Sequence, residues 1–237
     1  REVWTFVNLY SKTRGCNRFH AVIRALDLLR VRKEVKTRGV EVSSYPALLE
    51  WVERESKLGN ATLDAEVAEG NEALVPIKTW SDAVNVTVKD IVHGVPPFPL
   101  VRETLTQANS QADCMVISQT PVEALEREWD ENDIRQFVQI IAGQEMGTKT
   151  EHLAFAAKEK YAADKVLMIG DAPGDHKAAA ANGALFFPIN PGNEEACWER
   201  LHNEALEKFF AGAFAGDYQQ RLVDEFEEYL PEIPSWA

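Results

Sequence analysis

The sequence predicts an α/β protein in two parts, a parallel-sheet core over residues 95–237 and a helical subdomain over residues 1–94. Three observations lead there. The stretch Lys165–Pro188, KVLMIGDAPGDHKAAAANGALFFP, reads as a buried strand, an acidic turn, an alanine-rich helix and a second strand, which is a parallel βαβ unit. Two further apolar runs, Asp113–Ile117 and Val138–Ala142, are each followed by helix-start signals. Between residues 19 and 95 no strand pattern occurs, and apolar residues recur at helical spacing instead.

Composition narrows the function classes. With 237 residues and 45% hydrophobic content the chain can bury a sizeable core. No apolar run approaches the length of a membrane span, so no membrane partner is expected, and the first residues lack the apolar stretch of a secretory signal. Cys16, Cys114 and Cys197 are isolated and odd in number, which suggests neither a disulfide framework nor a zinc knuckle and fits a reducing, cytoplasmic setting. A net charge of −13 argues against nucleic acid as a general partner. Residues 1–40 nevertheless carry a local +7 while the remainder carries −20. Such a basic segment is commonly a solvated helix face, but it can also attract an anionic substrate. Arg14 and Arg18, which flank Gly15 in the loop Ser11–Arg18, are the candidates for that role.

Taken in order, Val3–Tyr10 leaves helix and strand open. Phe19–Val31 places Phe19, Val22, Ile23, Leu26 and Leu29 at helical spacing, and Tyr45–Arg54 does the same behind Pro46. Leu63–Glu69 and Ser81–Val92 read as further helices. Prolines 96, 97 and 99 exclude regular helix from Val95–Leu100 and mark the boundary. A short helix, Val101–Asn109, leads to the strand Asp113–Ile117, which ends at Ser118. Thr120, Pro121 and Glu123 have the spacing of N-cap, N1 and capping-box N3 for the next helix. A hydroxyl at a strand end beside a helix N-terminus suits a phosphate group, which makes Ser118 and Gln119 binding candidates; an ordinary strand-to-helix turn is the alternative.

After Val138–Ala142, Thr148 and Glu151 again have capping-box spacing and place Lys149 in the first turn of a helix over 149–161. A cation there opposes the macrodipole, yet at a strand end it can hold a carboxylate and a phosphate together. Asp171 and Asp175 follow the strand Val166–Gly170 on a tight loop with Pro173 and Gly174. Two such carboxylates repel unless a cation or proton lies between them, and Mg²⁺ is commonly held by one or two carboxylates plus substrate phosphate. Simple helix capping by Asp is the alternative. Asn182–Gly183 suits a helix C-cap. The aromatic-rich helices expected around Trp198–Phe214 and Tyr218–Tyr229 read as a packing extension without chemistry.

The segment IGDAPGDHKAA resembles the fourth motif of the haloacid dehalogenase superfamily, a hydrophobic strand followed by GDxxxD, and Ser118 and Lys149 stand where that family has its second and third motifs. The resemblance covers residues 95–192. It implies a Rossmann-like core with a helical cap over residues 1–94, a small phosphorylated metabolite as substrate, and hydrolysis through an aspartyl-phosphate. It further implies that Asp171 and Asp175 hold Mg²⁺, that Ser118 binds the phosphoryl group, and that Lys149 and Asp171 are catalytic. The family's nucleophile motif, DxDxT, is missing. Only Val3–Ser11 is placed for it, with Asn8 and Tyr10 in place of the aspartates and Lys12 in place of the threonine. The expectation is a chain that begins inside the cap and lacks its first strand, rather than a degenerate member. A catalytically inactive binding protein and a haloacid dehalogenase are the rival readings; the acid pair favours the phosphatase, because dehalogenation needs no metal.

Overall fold

Local hydrogen bonds and apolar faces build two compact units in the computed structural model, which describes residues 1–236. The first unit comprises Arg1–His93 together with the tail from Glu232. Its first helix, α1 (Glu2–Leu9), is the segment the sequence leaves open. It is helical because Val3, Phe6 and Val7 fall on one face and bury against Ala21, Ala25 and Leu28 of α2 (Arg18–Val31). Asn17 caps α2, its Oδ1 accepting the Phe19 N–H at 3.0 Å. After the short α3 (Lys33–Thr37), a second cluster joins Phe19 to Leu48 and Trp51 of α4 (Pro46–Arg54), Leu63 of α5 (Asn60–Ala68), Leu74, and Ile77 of α6 (Val75–Ile91). The last two helices start earlier than the apolar spacing suggested. Thr62 Oγ1 accepts the Gly59 N–H at 3.3 Å and opens α5, and the buried Ile77 extends the core face of α6 upstream of Ser81. The tail packs back on this unit, with Trp236 edge-on to Phe6 at 5.3 Å and Arg32 over the indole at 5.0 Å.

The second unit, Gly94–Pro231, contains the strands. Helix α7 (Val101–Asn109) leads to β1 (Met115–Ile117), which runs parallel to β2 (Ile140–Ala142) with Val116 opposite Ile141. Between them lies α8 (Val122–Glu131). Then come α9 (Lys149–Ala157), β3 (Leu167–Gly170), α10 (Pro173–Ala181) and β4 (Leu185–Pro188), with β3 and β4 parallel and Ile169 opposite Phe187. The four strands form two separate parallel pairs rather than one continuous sheet. Helix α9 stops at Ala157, short of the expected 161, because Lys158 turns extended and Glu159 takes φ +70°.

Strand β4 is buried throughout and divides the core by its alternation. Leu185, Phe187 and Ile189 face Leu201, Leu206, Phe209 and Phe214. Phe186 faces Met168, Leu153 and the alanines of α10. The C-terminal helices α11 (Glu194–Arg200), α12 (Leu206–Phe210) and α13 (Asp217–Glu228) supply much of both clusters, Leu222 to one and Val223 and Phe226 to the other. Gln219 also caps the strand's outer edge, its Oε1 accepting the Phe186 N–H at 3.0 Å.

The other strand edges are treated differently. Ser118 N–H reaches Ala142 O at 2.9 Å, and Val166 O and Gly170 O accept from Leu185 and Ile189 at 2.8 Å. In a parallel ladder alternate residues bond to the same neighbour, so Met115 and Ile117 turn their backbone groups away from β2, and Leu167 and Ile169 turn theirs away from β4. Among the described residues none of these four makes a backbone bond outside its own pair. Both edges belong to one core, since Ile117 packs on the cluster that contains Met168. No helix among the described residues is long and apolar enough to cross a membrane.

Two helix ends position the chemistry. At α9 the expected capping box forms: Thr148 Oγ1 accepts the Glu151 N–H at 3.3 Å, and Glu151 Oε2 accepts the Thr148 N–H at 2.8 Å. At α10, Gly183 takes φ +65°, Ala184 N–H reaches Ala179 O at 3.0 Å and Gly183 N–H reaches Ala180 O at 3.1 Å, a Schellman closure that returns the chain directly into β4.

The capping box generates a pH prediction. The Thr148 N–H and hydroxyl hold the Glu151 carboxyl below its usual value of 4.5. A depressed carboxyl contributes stability that is present above the unfolded value and lost as pH falls through the folded one. Wild-type protein is therefore expected to lose stability below about pH 4.5 more steeply than Glu151→Gln. Urea unfolding followed by circular dichroism between pH 3 and 7 checks this; parallel curves for the two proteins would contradict it.

Candidate functional site

Three loops at the carboxyl ends of β1, β2 and β3 carry the residues that the sequence singled out. The loop after β3 is built around Asp175. This carboxylate is 3% exposed and stands at the third position of α10. Its Oδ2 accepts the N–H groups of Asp171 at 3.2 Å and Ala172 at 3.1 Å, so it caps its own helix. Its Oδ1 accepts from Lys149 Nζ at 2.5 Å. Gly170 makes room for it: a Cβ there would lie 2.4 Å from Asp175 Cβ and 2.6 Å from its Oδ2. Asp175 thus caps its own helix with one oxygen, as the capping alternative expects, and receives a lysine of this chain on the other.

Lys149 reaches Asp175 because the capping box fixes it as the first residue of α9. Its unfavourable place on the helix dipole is offset by the buried carboxylate it meets. Asp171 is half-buried at the end of β3, with its own N–H tied to Asp175. The described residues contain no group of three or more His, Cys, Asp or Glu arranged to hold a metal ion. Both Asp175 oxygens already carry hydrogen bonds, and Asp171 is the second carboxylate of this loop.

The loop after β1 differs from the expected start of α8. Pro121, extended at φ −56° and ψ 139°, is the N-cap, and Thr120 and Glu123 form no capping box. In place of the capping box, Ser118 Oγ accepts the Thr120 N–H at 3.1 Å in a local turn. The first-turn donor of α8 finds a partner at long range, Val122 N–H to Glu145 Oε2 at 3.2 Å. Gln119 is exposed, and its Nε2 donates to Gly147 O at 3.1 Å. Gln144 N–H donates to Thr120 O at 3.1 Å. The Ser118 loop, the Lys149 loop and the Asp171–Asp175 loop are therefore joined by a continuous series of hydrogen bonds.

The remaining candidates lie in the first unit. Arg18 Nη1 donates to Asn85 Oδ1 at 2.6 Å and to the carbonyl and hydroxyl of the buried Ser81 at 3.3 and 3.2 Å. Partial burial lowers its pKa from the ordinary value. Its bonds join α2 to α6 in that unit. Arg14 Nη1 donates to Leu9 O at 2.9 Å. The stretch placed for a nucleophile motif is helical: Asn8 Nδ2 donates to Trp4 O at 2.9 Å within α1, and Tyr10 is the residue that ends that helix. Sequence reasoning missed Glu145, whose only signal was an acid three residues before the capping threonine.

A family model for haloacid dehalogenase-like hydrolases matches residues 51–188. No curated protein and no solved structure matches the chain.

The geometry around Asp175 generates a mutational prediction. Gly170→Ala forces the carboxylate away from its two N–H partners and from Lys149, at an expected cost of about 1–3 kcal/mol. Lys149→Met leaves the buried carboxylate without its cation and is expected to cost about 3 kcal/mol. Asp175→Asn keeps an acceptor for the N–H pair and should cost less than either. Urea denaturation of the three variants, followed on the second unit by hydrogen exchange, measures the order; an Asn variant less stable than the Met variant would contradict it.

Proposed function

The chain belongs to the haloacid dehalogenase-like hydrolases, and from that premise we propose that its site serves Mg²⁺-dependent hydrolysis of a small phosphate monoester. The observation that carries the reading is the Lys149–Asp175 pair, a cation fixed by a buried carboxylate beside Asp171 on the same loop. Such a lysine neutralises charge on transferred phosphoryl oxygens and costs no reorganisation at the moment of reaction. In this reading Ser118 binds the phosphoryl group, Lys149 neutralises it, and Asp175 holds Lys149 in place. Asp171 would be the chain's ligand to Mg²⁺, and a bound Mg²⁺ supplies charge neutralisation for the phosphate oxygens. The helical first unit takes the role of a cap that selects the substrate, with the excess of Lys and Arg in its residues 1–40 suiting an anion.

Hydrolysis by this route also needs a carboxylate nucleophile and an acid to protonate the leaving group. Asn8 and Tyr10 provide neither, being an amide and a phenol on a helix of the first unit. The nucleophile has to come on a strand added to the open edges of β1 and β3, in the parallel sense of their existing partners. A second reading is favoured by the same fact: a protein whose phosphoryl-binding groups are assembled without a nucleophile beside them binds phosphorylated ligands and leaves them intact.

One experiment separates these readings. The 237-residue chain is expected to turn over none of a panel of phosphate monoesters while binding inorganic phosphate with Mg²⁺. A hydrophobic strand peptide of about eight residues carrying Asp-x-Asp-x-Thr, supplied in trans, should confer turnover that EDTA abolishes. Turnover by the chain alone would show the nucleophile to be misplaced here. Phosphate binding that Lys149→Ala removes, with no turnover in the peptide's presence, would favour the binding protein.

A further inference from the structure

We propose that Gln119 and Glu145 are positioning residues, which lace the loop after β1 to the loop after β2 and so set Lys149 at a fixed separation from Ser118. The proposal rests on the reading of Ser118 and Lys149 as the phosphoryl-binding pair, and it moves Gln119 from substrate contact to a role behind the site.

Both side chains are exposed, yet each spends its polar group on the neighbouring loop. Gln119 Nε2 donates to Gly147 O at 3.1 Å and more weakly to Ser118 O at 3.4 Å. Gly147, at φ +131°, lies two residues before Lys149, and a Cβ on it would fall 2.9 Å from Glu151 Oε2. The carbonyl that accepts Gln119 shares its peptide plane with the Thr148 N–H, which Glu151 Oε2 accepts at 2.8 Å, so it cannot turn without disturbing the capping box that places Lys149. Glu145 works in the reverse direction: it belongs to the second loop and accepts the Val122 N–H of the first, at 3.2 Å. Between these two bonds the backbones touch. Gln144 N–H meets Thr120 O at 3.1 Å, and a Cβ on Gly143 would stand 2.7 Å from both Thr120 O and Val122 N.

The local bonds hold each loop within itself, Thr120 N–H to Ser118 Oγ in the first and Met146 N–H to Gly143 O in the second, and do not fix one loop against the other. No side chain of the first loop caps α8, and no side chain caps the turn over residues 144–146. The cross-loop bonds supply what both lack. Their consequence for function is precision, because small misplacements of a charge-neutralising group relative to the group it serves are costly in rate and binding.

The test uses the whole chain with inorganic phosphate and Mg²⁺ as the probe. Gln119→Ala and Glu145→Ala are each expected to weaken phosphate binding about fivefold, the effect of one lost hydrogen bond. Glu145→Gln keeps a carbonyl acceptor for Val122 and should recover binding to within about twofold. A second readout needs no ligand. The Lys149 ammonium, held by Asp175, should give a slowly exchanging ¹⁵N signal in wild type and in Glu145→Gln, assigned by its loss in Lys149→Arg, and the two Ala variants should broaden it. Alanine variants that bind phosphate like wild type, or that leave the ammonium signal unchanged, overturn the proposal. If wild-type protein binds no phosphate, the phosphoryl-binding reading fails, and the ammonium signal alone decides whether the lace exists.

Discussion

A carboxylate taken almost entirely out of water constrains the second unit more than any other single group. Isolated, it would cost several kcal/mol. Asp175 offsets that cost by receiving two backbone N–H groups and a lysine. Each partner then imposes a requirement of its own. The N–H groups of Asp171 and Ala172 must converge, which fixes the turn that ends β3. The approach to Gly170 leaves no space for a side chain there. Lys149 must arrive from another helix, which requires the first turn of α9 to be closed by Thr148 and Glu151. The arrangement is electrostatic in origin and geometric in effect.

Much of this was legible in the sequence because its determinants are local. The capping box at Thr148 and Glu151 uses residues three apart, the Asn182–Gly183 stop uses adjacent ones, and the apolar runs of β3 and β4 are bounded by their own turn residues. The same locality explains the failures. At Thr120 the capping-box spacing was present, but the helix starts one residue later, and the partner of Val122 lay at Glu145, where no local pattern points. Arg18 looked like a free cation beside Gly15; its partners, Ser81 and Asn85, come from a helix more than sixty positions away. The aromatic C-terminal helices were read as an extension, whereas Leu222, Val223 and Phe226 lie within the main clusters. Their amphipathic pattern identifies a buried face but not what buries it.

The open strand edges connect fold to function. A parallel α/β core normally buries its central strands under helices on both faces and under neighbours on both edges. Here β1 is half-buried along its length and Ile169 is 38% exposed, so these edges are not closed off from solvent. Exposure makes the arrangement tolerable, since an edge facing solvent leaves no polar group orphaned. It also makes the edges receptive, because among the described residues their outward backbone groups have no backbone partner. The contrast with β4, whose outward Phe186 N–H is capped by Gln219, is internal to the same unit.

Receptive edges and an incomplete set of catalytic groups have the same remedy. A strand joined in parallel to β1 or β3 runs its carboxyl end to the rim that carries Ser118 or Asp171, which is where open α/β sheets collect their chemistry. In the proposed reading the side chains already assembled there bind and neutralise negative charge, Asp171 being assigned to the metal and Ser118 to the phosphoryl group. The backbone offers a place for another strand, and the proposed chemistry calls for a further carboxylate that such a strand could bring. The first is an observation on hydrogen bonds, the second follows from the proposed route, and they meet at one rim.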